Sequence, residues 1–258
     1  MRRSPRVLWI AGIAAYIFLY APLAVVVAYS FNDSTMNAQW VGFTWKWYEV
    51  LFHDEEMLTA ASNSLLIGLV ASAVSTLLGT MAGFALDKFK PRVLPILVVA
   101  PIAIPEILMG VSLLIFFVTI NLTLGVLSIT LAHIAFCVGF VAIVVRSRLA
   151  GMDESLVEAA RDLGASPWKA FRLVTLPLIM PGVIAGALMA FTLSIDDFVI
   201  TYFTAGADAM TLPLKIYTMV KVTVTPEVNA VSTLLMLVTL MLILIASKLS
   251  PNVLRRAD

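Results

Sequence analysis

Charged residues are scarce in this chain, since Asp, Glu, Lys and Arg make up only 13% of its 258 residues. In a water-soluble domain about a quarter of the residues are charged. Hydrophobic residues instead make up 61% of the sequence, and the mean hydropathy is +1.00. A soluble fold of this length cannot bury that much apolar surface, so the composition excludes a soluble protein and predicts an integral membrane protein.

Cysteine and catalytic patterns are also lacking. The single cysteine, Cys137, cannot form an internal disulfide, and no metal-ligand spacing surrounds it. The chain has no G-x-x-x-x-G-K-[ST] phosphate loop, which excludes ATP binding by that route. It has no Ser/His/Asp set and no H-E-x-x-H motif, which argues against an intramembrane enzyme. The net charge of +1 gives no indication of a nucleic-acid partner.

Long apolar runs are what the sequence does contain. A helix needs roughly 20 apolar residues to cross the hydrocarbon core of a bilayer. Six runs reach that length, which predicts a single all-α transmembrane domain over residues 1–258. Residue types further predict a tight turn at Asn121, between the third and fourth spans, and an N-cap for the last helix at Thr225. The six predicted spans are about 7–30, 62–86, 93–119, 122–145, 178–203 and 227–248.

The distribution of basic residues predicts the orientation, because cytoplasmic segments of membrane proteins hold an excess of Lys and Arg. With both termini in the cytoplasm, 14 of the 17 basic residues lie inside. The inside set is Arg2, Arg3, Arg6, Lys88, Lys90, Arg92, Arg146, Arg148, Arg161, Lys169, Arg172, Lys248, Arg255 and Arg256, and the outside set is Lys46, Lys215 and Lys221. The outer segment 31–61 holds five acidic residues and is either a solvated loop or a vestibule that attracts cations.

The stretch "LVEAARDLGASPWKAFRLVTLPLIMPG", residues 156–182, is unusually polar for this chain and follows the fourth span on the cytoplasmic side. Ser155 and Glu158 have the spacing of a capping box at a helix start. Gly164 can take the left-handed conformation that ends a helix, and Ser166 can cap a second helix. Leu176-Pro177 is expected to break this second helix before the fifth span. The pattern predicts a docking element over 153–172, built as helix, glycine elbow and helix.

Within this stretch, "EAARDLGASPWKAFRLVTLP" resembles the EAA loop of permease subunits of ABC importers. The positions that match the pattern are Glu158, Ala159, Ala160, Gly164, Leu176 and Pro177. The resemblance implies a coupling helix that docks into a cleft of an ATP-hydrolysing subunit. The docking residues predicted from it are Glu158, Ala159, Ala160, Asp162, Gly164 and Pro177.

Six further stretches resemble the permease subunits of spermidine/putrescine ABC importers: "SFN", "GFTWKWYEVL", "HIAFC", "SRLAGMD", "FTLSIDDFVITYF" and "LPLKIYTMVKVTVTPEVNA". The resemblance implies a type I ABC importer permease fold with six transmembrane helices in a bacterial inner membrane. It implies a non-catalytic subunit that binds no cofactor, with ATP and Mg held by two partner ATP-binding subunits. The further partners that it implies are a second, related permease chain, a periplasmic substrate-binding protein and membrane lipid.

Ionisable side chains inside a span are costly and usually face a cavity or a partner. Polyamines have several separated ammonium groups, so a pathway for them would need spaced carboxylates near the middle of the membrane. Glu106, which follows Pro105 where the family pattern has an aspartate, either lines such a pathway beside a broken helix or pairs with a neighbour in a kinked one. Asp196 and Asp197 point about 100° apart on a helix, so one can line the pathway while the other bonds to a neighbouring helix or subunit.

Two more residues have open alternatives. His133 is predicted to be a packed, hydrogen-bonded residue of the fourth span. Tyr202 either stacks on a substrate ammonium group by cation–π attraction or anchors the chain at the membrane interface. For the whole chain the predicted function is a polyamine importer permease. The alternatives are an importer permease for another small cationic or organic solute, and an ion-coupled secondary transporter, which would explain the acidic residues but not the docking element.

Overall fold

A computed structural model gives the structure of the chain and describes residues 5–34, 39–89, 92–207, 209–222 and 225–249. Helices dominate these ranges, and the β pairing within them is one antiparallel bridge between Asn32 and Phe43. The helices are α1 (Pro5–Tyr29), α2 (Lys46–His53), α3 (Glu55–Lys88), α4 (Leu94–Ala103), α5 (Glu106–Thr119), α6 (Val126–Ala150), α7 (Ser155–Asp162), α8 (Pro167–Ala170), a π-helical turn (Phe171–Thr175), α9 (Leu176–Ile195), α10 (Val199–Thr204), α11 (Leu212–Val222) and α12 (Pro226–Leu249).

The helices that could cross a membrane confirm the predicted all-α membrane fold. Four are long and apolar enough: Val7–Tyr29, Glu55–Lys88, Val126–Ala150 and Pro167–Ile195. The pair α4 and α5 makes a fifth span if its two bent halves are taken together. In α12, which lies over the predicted sixth span, Pro226–Met241 is a shorter apolar helix. The count of six spans therefore stays a prediction.

The predicted orientation also stays a prediction. Of the basic residues on which it depends, Arg2, Arg3, Lys90, Arg255 and Arg256 lie outside the described residues.

The predicted third span is broken at Pro105. Helix α4 ends at Ala103, α5 begins at Glu106, and their axes differ by 112°. A residue before proline is disfavoured in the helical region, and Ile104 is accordingly extended, with φ −81° and ψ 134°. Pro101, in contrast, lies inside α4. The break leaves Glu106 as the first residue of a new helix.

The predicted helix break before the fifth span is wrong. Leu176-Pro177 does not break the helix, because one apolar helix runs from Pro167 to Ile195. The π-helical turn comes directly before the proline, and Leu176 N donates to Phe171 O, five residues back. The ring of a proline clashes with the carbonyl four residues earlier in a regular α-helix, and a widened turn at this point gives the ring room.

The predicted end of the fifth span is also wrong. The helix was expected to continue to residue 203, but it stops earlier. Helix α9 ends at Ile195 and α10 begins at Val199. In an unbroken helix Thr201 N would donate to the carbonyl of Asp197. Here it donates to the side chain, Asp197 Oδ1, at 2.9 Å. Aspartate side chains compete with the backbone for such donors, which explains why the helix is interrupted here.

Two predicted turn residues have different outcomes. Asn121 has φ +55°, and Asn121 N and Leu122 N donate to Val118 O and Phe117 O, so the predicted tight turn after α5 is confirmed. Helix α12 begins at Pro226, as predicted. The predicted side-chain cap is wrong, because the Thr225 hydroxyl is buried without a hydrogen-bond partner, and Val228 N donates to the Thr225 carbonyl at 3.1 Å.

The described residues form two compact units. The larger contains Thr59–Leu214 and the described residues from Met241 onward. Helix α6 lies at its centre, and small residues on α3 let the helices approach closely. A Cβ atom at Gly79 would lie 2.6 Å from Val141 Cβ, and one at Gly83 would lie 2.8 Å from Ala142 O. This close contact gives the candidate sites a rigid frame.

The smaller unit contains the described residues up to Leu58 together with Lys215–Leu240. The segment predicted to lie outside is organised around Asn32, which is fully buried. Asn32 Oδ1 accepts from Val41 N at 2.8 Å, and Asn32 O accepts from Trp47 Nε1 at 2.8 Å. In the same unit, the ammonium of Lys215 pairs with the carboxylate of Glu56. The vestibule interpretation of the outer acids stays a prediction.

Candidate functional site

The first candidate site is the polar segment between α6 and α9, where the predicted glycine elbow is confirmed. Gly164 has φ +84°, a conformation that favours glycine. Gly164 N donates to Arg161 O at 2.9 Å, and Ala165 N donates to Ala160 O at 3.1 Å. This pair of bonds is a Schellman motif, which ends α7 and turns the chain toward α8.

The start of α7 differs from the prediction. Glu154 is the N-cap and Ser155 is the first helical residue, so the predicted capping box with Glu158 is wrong. The acceptor is one residue further back: Asp153 Oδ1 accepts from Ser155 N at 3.0 Å. Hydrogen bonds from the Ser155 side chain and backbone lower the pKa of the Asp153 carboxyl. A negative charge at this helix start interacts favourably with the helix dipole.

The second helix of the segment starts as predicted. Ser166 Oγ accepts from Lys169 N at 3.3 Å, and Pro167 is the first helical residue. The rings of Trp168 and Phe171 stack with centroids 5.6 Å apart. Phe171 also meets Phe84 of α3 edge to face, with centroids 5.3 Å apart. Aromatic contacts therefore tie α8 and the π-helical turn to the larger unit.

The elbow encloses a concave surface. It has a volume of about 600 Å³ and is lined by Glu158, Arg161, Asp162, Gly164, Ala165, Ser166 and Pro167. Three of the predicted docking residues line it: Glu158, Asp162 and Gly164. Ala159 is exposed and Ala160 is half-buried on the same helix, whereas Pro177 lies further on, in α9. Leu163, at the corner, is 90% exposed, although it is apolar.

A charged contact joins this segment to α3. Lys88 Nζ lies 2.7 Å from Glu154 Oε1 and 3.6 Å from Asp87 Oδ2. Glu154 is mostly exposed, so solvent screens the pair and its contribution to stability is small. The contact nevertheless places the C-terminal end of α3 next to the start of α7.

The second candidate site lies where α4–α5 and α9–α10 are interrupted. Glu106 and Asp196, both exposed, occupy the two breaks. Asp196 and Asp197 are adjacent, and α5, which begins at Glu106, packs against α10 one turn further along each helix, so the three predicted carboxylates lie in the same region. Close packing of α5 on α10 supports this arrangement, since a Cβ at Gly110 would lie 2.7 Å from Phe203 Cδ2.

The two adjacent aspartates have different environments. Asp196 is exposed, whereas Asp197 is 9% exposed. Asp197 Oδ1 accepts from Thr201 N at 2.9 Å and contacts Thr201 Oγ1 at 3.1 Å and His133 Nε2 at 3.3 Å. His133 is therefore the packed, hydrogen-bonded residue that the sequence predicted. Thr201 and Ser194 were not among the predicted residues, although "SIDDFVIT" places both within four residues of an aspartate.

Tyr202 completes the set of predicted pathway residues. Its side chain is 53% exposed. Its ring contacts Phe198 and Phe203, with centroids 5.7 Å and 5.4 Å away. The ring therefore lies on α10 beside the break, and its role toward a substrate stays a prediction.

Known proteins resemble this chain in sequence. Residues 75–257 match the family described as "Binding-protein-dependent transport system inner membrane component". The chain is 43% identical over 240 residues to "Spermidine/putrescine transport system permease protein PotC" of Escherichia coli (strain K12), over 92% of this chain and 90% of that protein. It is 42% identical over 231 residues to "Putrescine transport system permease protein PotI" of the same strain, over 86% of this chain and 82% of that protein.

A solved structure shares the fold. It is described as "Crystal structure of a bacterial ABC transporter involved in the import of the acidic polysaccharide alginate". The match has a TM-score of 0.74 at 18% identity and covers 96% of this chain and 98% of that chain.

Proposed function

Because the chain belongs to the family of binding-protein-dependent transport system inner membrane components, we propose that it is the permease subunit of an ABC importer that moves polyamines into the cytoplasm. Two relatives that are at least 42% identical are named for putrescine transport, and one of them also for spermidine. The family favours this function over an ion-coupled secondary transporter. An importer permease for another small cationic or organic solute is the remaining alternative.

The chain needs an external source of energy, because its sequence has no phosphate-binding loop. We assign ATP and Mg to two partner ATP-binding subunits and assign no cofactor to this chain. One permease domain supplies half of a pathway, so a second, related permease chain is its partner in the membrane. A periplasmic binding protein delivers the substrate. In the predicted orientation both termini and the elbow segment lie in the cytoplasm of a bacterial cell, at its inner membrane.

The elbow segment is the docking site for an ATP-binding subunit. The observation that supports this role is a fixed, concave and polar surface at Glu158, Asp162 and Gly164, with the exposed apolar side chain of Leu163 at its corner. Exposed apolar residues beside charged ones are typical of protein interfaces. The adjoining aromatic contacts hold this surface against α3 rather than leaving it on a loose loop.

Copurification tests the docking role. The variant Glu158→Lys is compared with Glu49→Lys, the same charge reversal in α2. We expect both chains to insert into the membrane, but only Glu158→Lys to lose the ATP-binding subunit and substrate uptake, because it reverses a charge at the docking surface. Retention of the subunit with normal uptake in Glu158→Lys would contradict the assignment.

The single observation that supports a cationic cargo is the cluster of carboxylates at two helix breaks. Ala103 ends α4 shortly before Glu106, and Ile195 ends α9 immediately before Asp196. A helix C-terminus presents carbonyl oxygens and the negative end of the helix dipole. Asp196 is the C-cap of α9, where a carboxylate adds to the attraction for an ammonium group, whereas Glu106 is the first residue of α5. Broken helices are a common way to build transporter sites. We therefore assign substrate contact to Glu106 and Asp196, with Tyr202 beside them and Asp197 behind.

Uptake of labelled putrescine and spermidine by the assembled transporter tests the cargo. Asp196→Asn and Glu106→Gln are compared with Asp87→Asn, all at matched membrane levels. A hydrogen bond to a charged group contributes about 1.5–3 kcal/mol, so each pathway variant should raise KM on the order of tenfold or more. Uptake that is unchanged in both variants would make the acids structural. No polyamine uptake in any form would refute the cargo but not the importer architecture.

A further inference from the structure

A buried histidine side chain of α6 contacts two other helices at the α9–α10 break. His133 lies on α6 and is 2% exposed. Its Nδ1 lies 2.7 Å from Ser194 Oγ, near the end of α9. Its Nε2 lies 3.0 Å from Thr201 Oγ1, in α10. One imidazole therefore bridges the two helices on either side of the interruption.

The donors and acceptors of this network can be assigned from its geometry. An ionised carboxylate only accepts, so the Thr201 hydroxyl donates to Asp197 Oδ1 at 3.1 Å. His133 Nε2 lies 3.0 Å from Thr201 Oγ1 and 3.3 Å from Asp197 Oδ1, so as an N–H donor it meets both members of this pair. The chain of donors runs from imidazole to hydroxyl to carboxylate, and the other ring nitrogen meets Ser194.

These bonds take the place of the helical bonds that the break removes. Residues 196–198 lie between the two helices, and Asp197 Oδ1 holds the first turn of α10 through Thr201 N. Ser194 and Thr201 are 5% and 0% exposed, so the bridge between them is shielded from water. With Asp197 fixed on the buried side, its neighbour Asp196 is the exposed one.

We propose that His133 is a positioning residue for substrate binding: by bridging Ser194 and Thr201 it fixes the helix break and thereby orients the Asp196 carboxylate. The proposal rests on the proposed function, in which Asp196 contacts a cationic substrate. His133 itself does not contact substrate. His133 affects substrate binding only through the orientation of Asp196. Its replacement should therefore have no further effect on KM once Asp196 has been replaced.

The test measures KM and maximal rate of spermidine uptake by the assembled transporter at matched membrane levels. The variants are His133→Leu and Thr201→Val, which remove the bridge from either side, and the double variant His133→Leu with Asp196→Asn. The control is Thr130→Val, a buried hydroxyl on α6 that bonds to Val126 O of its own helix. Thr201→Val also serves if His133→Leu fails to reach the membrane, and its own double variant with Asp196→Asn is then used.

We expect each bridge variant to raise KM on the order of tenfold, which corresponds to about 1.4 kcal/mol, and Thr130→Val to leave KM unchanged. Residues that act through one another are not additive, so the double variant should be no worse than Asp196→Asn alone. A double variant whose KM rises by the full product of the single effects would overturn the proposal, because the histidine would then act on the fold.

Two further outcomes separate this proposal from the function on which it rests. If Asp196→Asn raises KM and neither bridge variant does, the positioning role is refuted and the cation pathway stands. If Asp196→Asn leaves KM unchanged, the pathway assignment of Asp196 is refuted, and the positioning role is refuted with it.

Discussion

Replacing Gly164 should uncouple the transporter without unfolding it. The residue has φ +84°, and a Cβ atom built on it has no neighbour within 4 Å. The effect of Gly164→Ala is therefore purely a backbone effect, and an L-residue in the left-handed region costs about 1–2 kcal/mol. That energy changes a conformational population by about 5–30-fold. We expect the population of the elbow conformation, relative to other conformations of the segment, to fall by that factor. Docking of the ATP-binding subunit should weaken accordingly.

The assay is ATP hydrolysis stimulated by the loaded binding protein, together with uptake, at matched membrane levels. Gly164→Asn should retain more activity than Gly164→Ala, because asparagine tolerates the left-handed region better than alanine. Gly151→Ala is the matched control, since Gly151 has φ −93° and its Cβ would meet neighbouring oxygens no closer than 3.8 Å. Equal activity in Gly164→Ala and Gly151→Ala, or an asparagine variant worse than the alanine variant, would refute the reasoning.

Two smaller predictions concern packing and charge. Gly139→Ala should lower the melting temperature of the purified transporter, because the added Cβ would overlap Val98 O and overpacking costs about 1–3 kcal/mol. The control Gly12→Ala should leave the melting temperature unchanged, because its Cβ would have no neighbour within 4 Å. Equal melting temperatures for the two variants would contradict the packing argument. A double-mutant cycle on Lys88→Ala and Glu154→Ala, followed by thermal unfolding, should give a coupling energy below about 1 kcal/mol, because the pair is solvent-screened. A coupling energy of several kcal/mol would contradict this prediction, because it would mean that the ion pair is shielded from solvent.

Apolar length and turn chemistry account for the parts of the fold that the sequence predicts well. The spans at 7–30, 62–86 and 122–145 coincide with helices because their composition leaves few alternatives in a membrane. The turn at Asn121 and the elbow at Gly164 were predictable because each needs a residue that accepts positive φ. Local rules of this kind involve only neighbouring residues.

The misplaced features depend on competition between groups that a linear pattern does not rank. The sequence predicted Ser155 as the cap of α7, whereas the structure uses the Asp153 carboxylate. The sequence predicted a break at Pro177 and left either a broken or a kinked helix open at Pro105, but only Pro105 produces a break. The difference lies in the π-helical turn ahead of Pro177, which no local preference indicates.

The candidate site shows the same division. The sequence identified Asp196 and Asp197 as costly residues inside a span but left open which of them faces a pathway. Asp197 is the buried one of the two and contacts His133, which lies 61 residues before Ser194 in the chain. Only the packing of α6 against α9 and α10 brings these side chains together, so a contact of this range lies beyond any pattern along the sequence.

The unbroken helix from Pro167 to Ile195 has a mechanical consequence. Its 29 residues correspond to a rod of about 40 Å, with the elbow at Gly164 near one end and Asp196 just past the other. A rod without a hinge transmits a displacement at one end to the other with little loss. If the elbow docks an ATP-binding subunit, as proposed, movement of that subunit would move Asp196 together with the elbow.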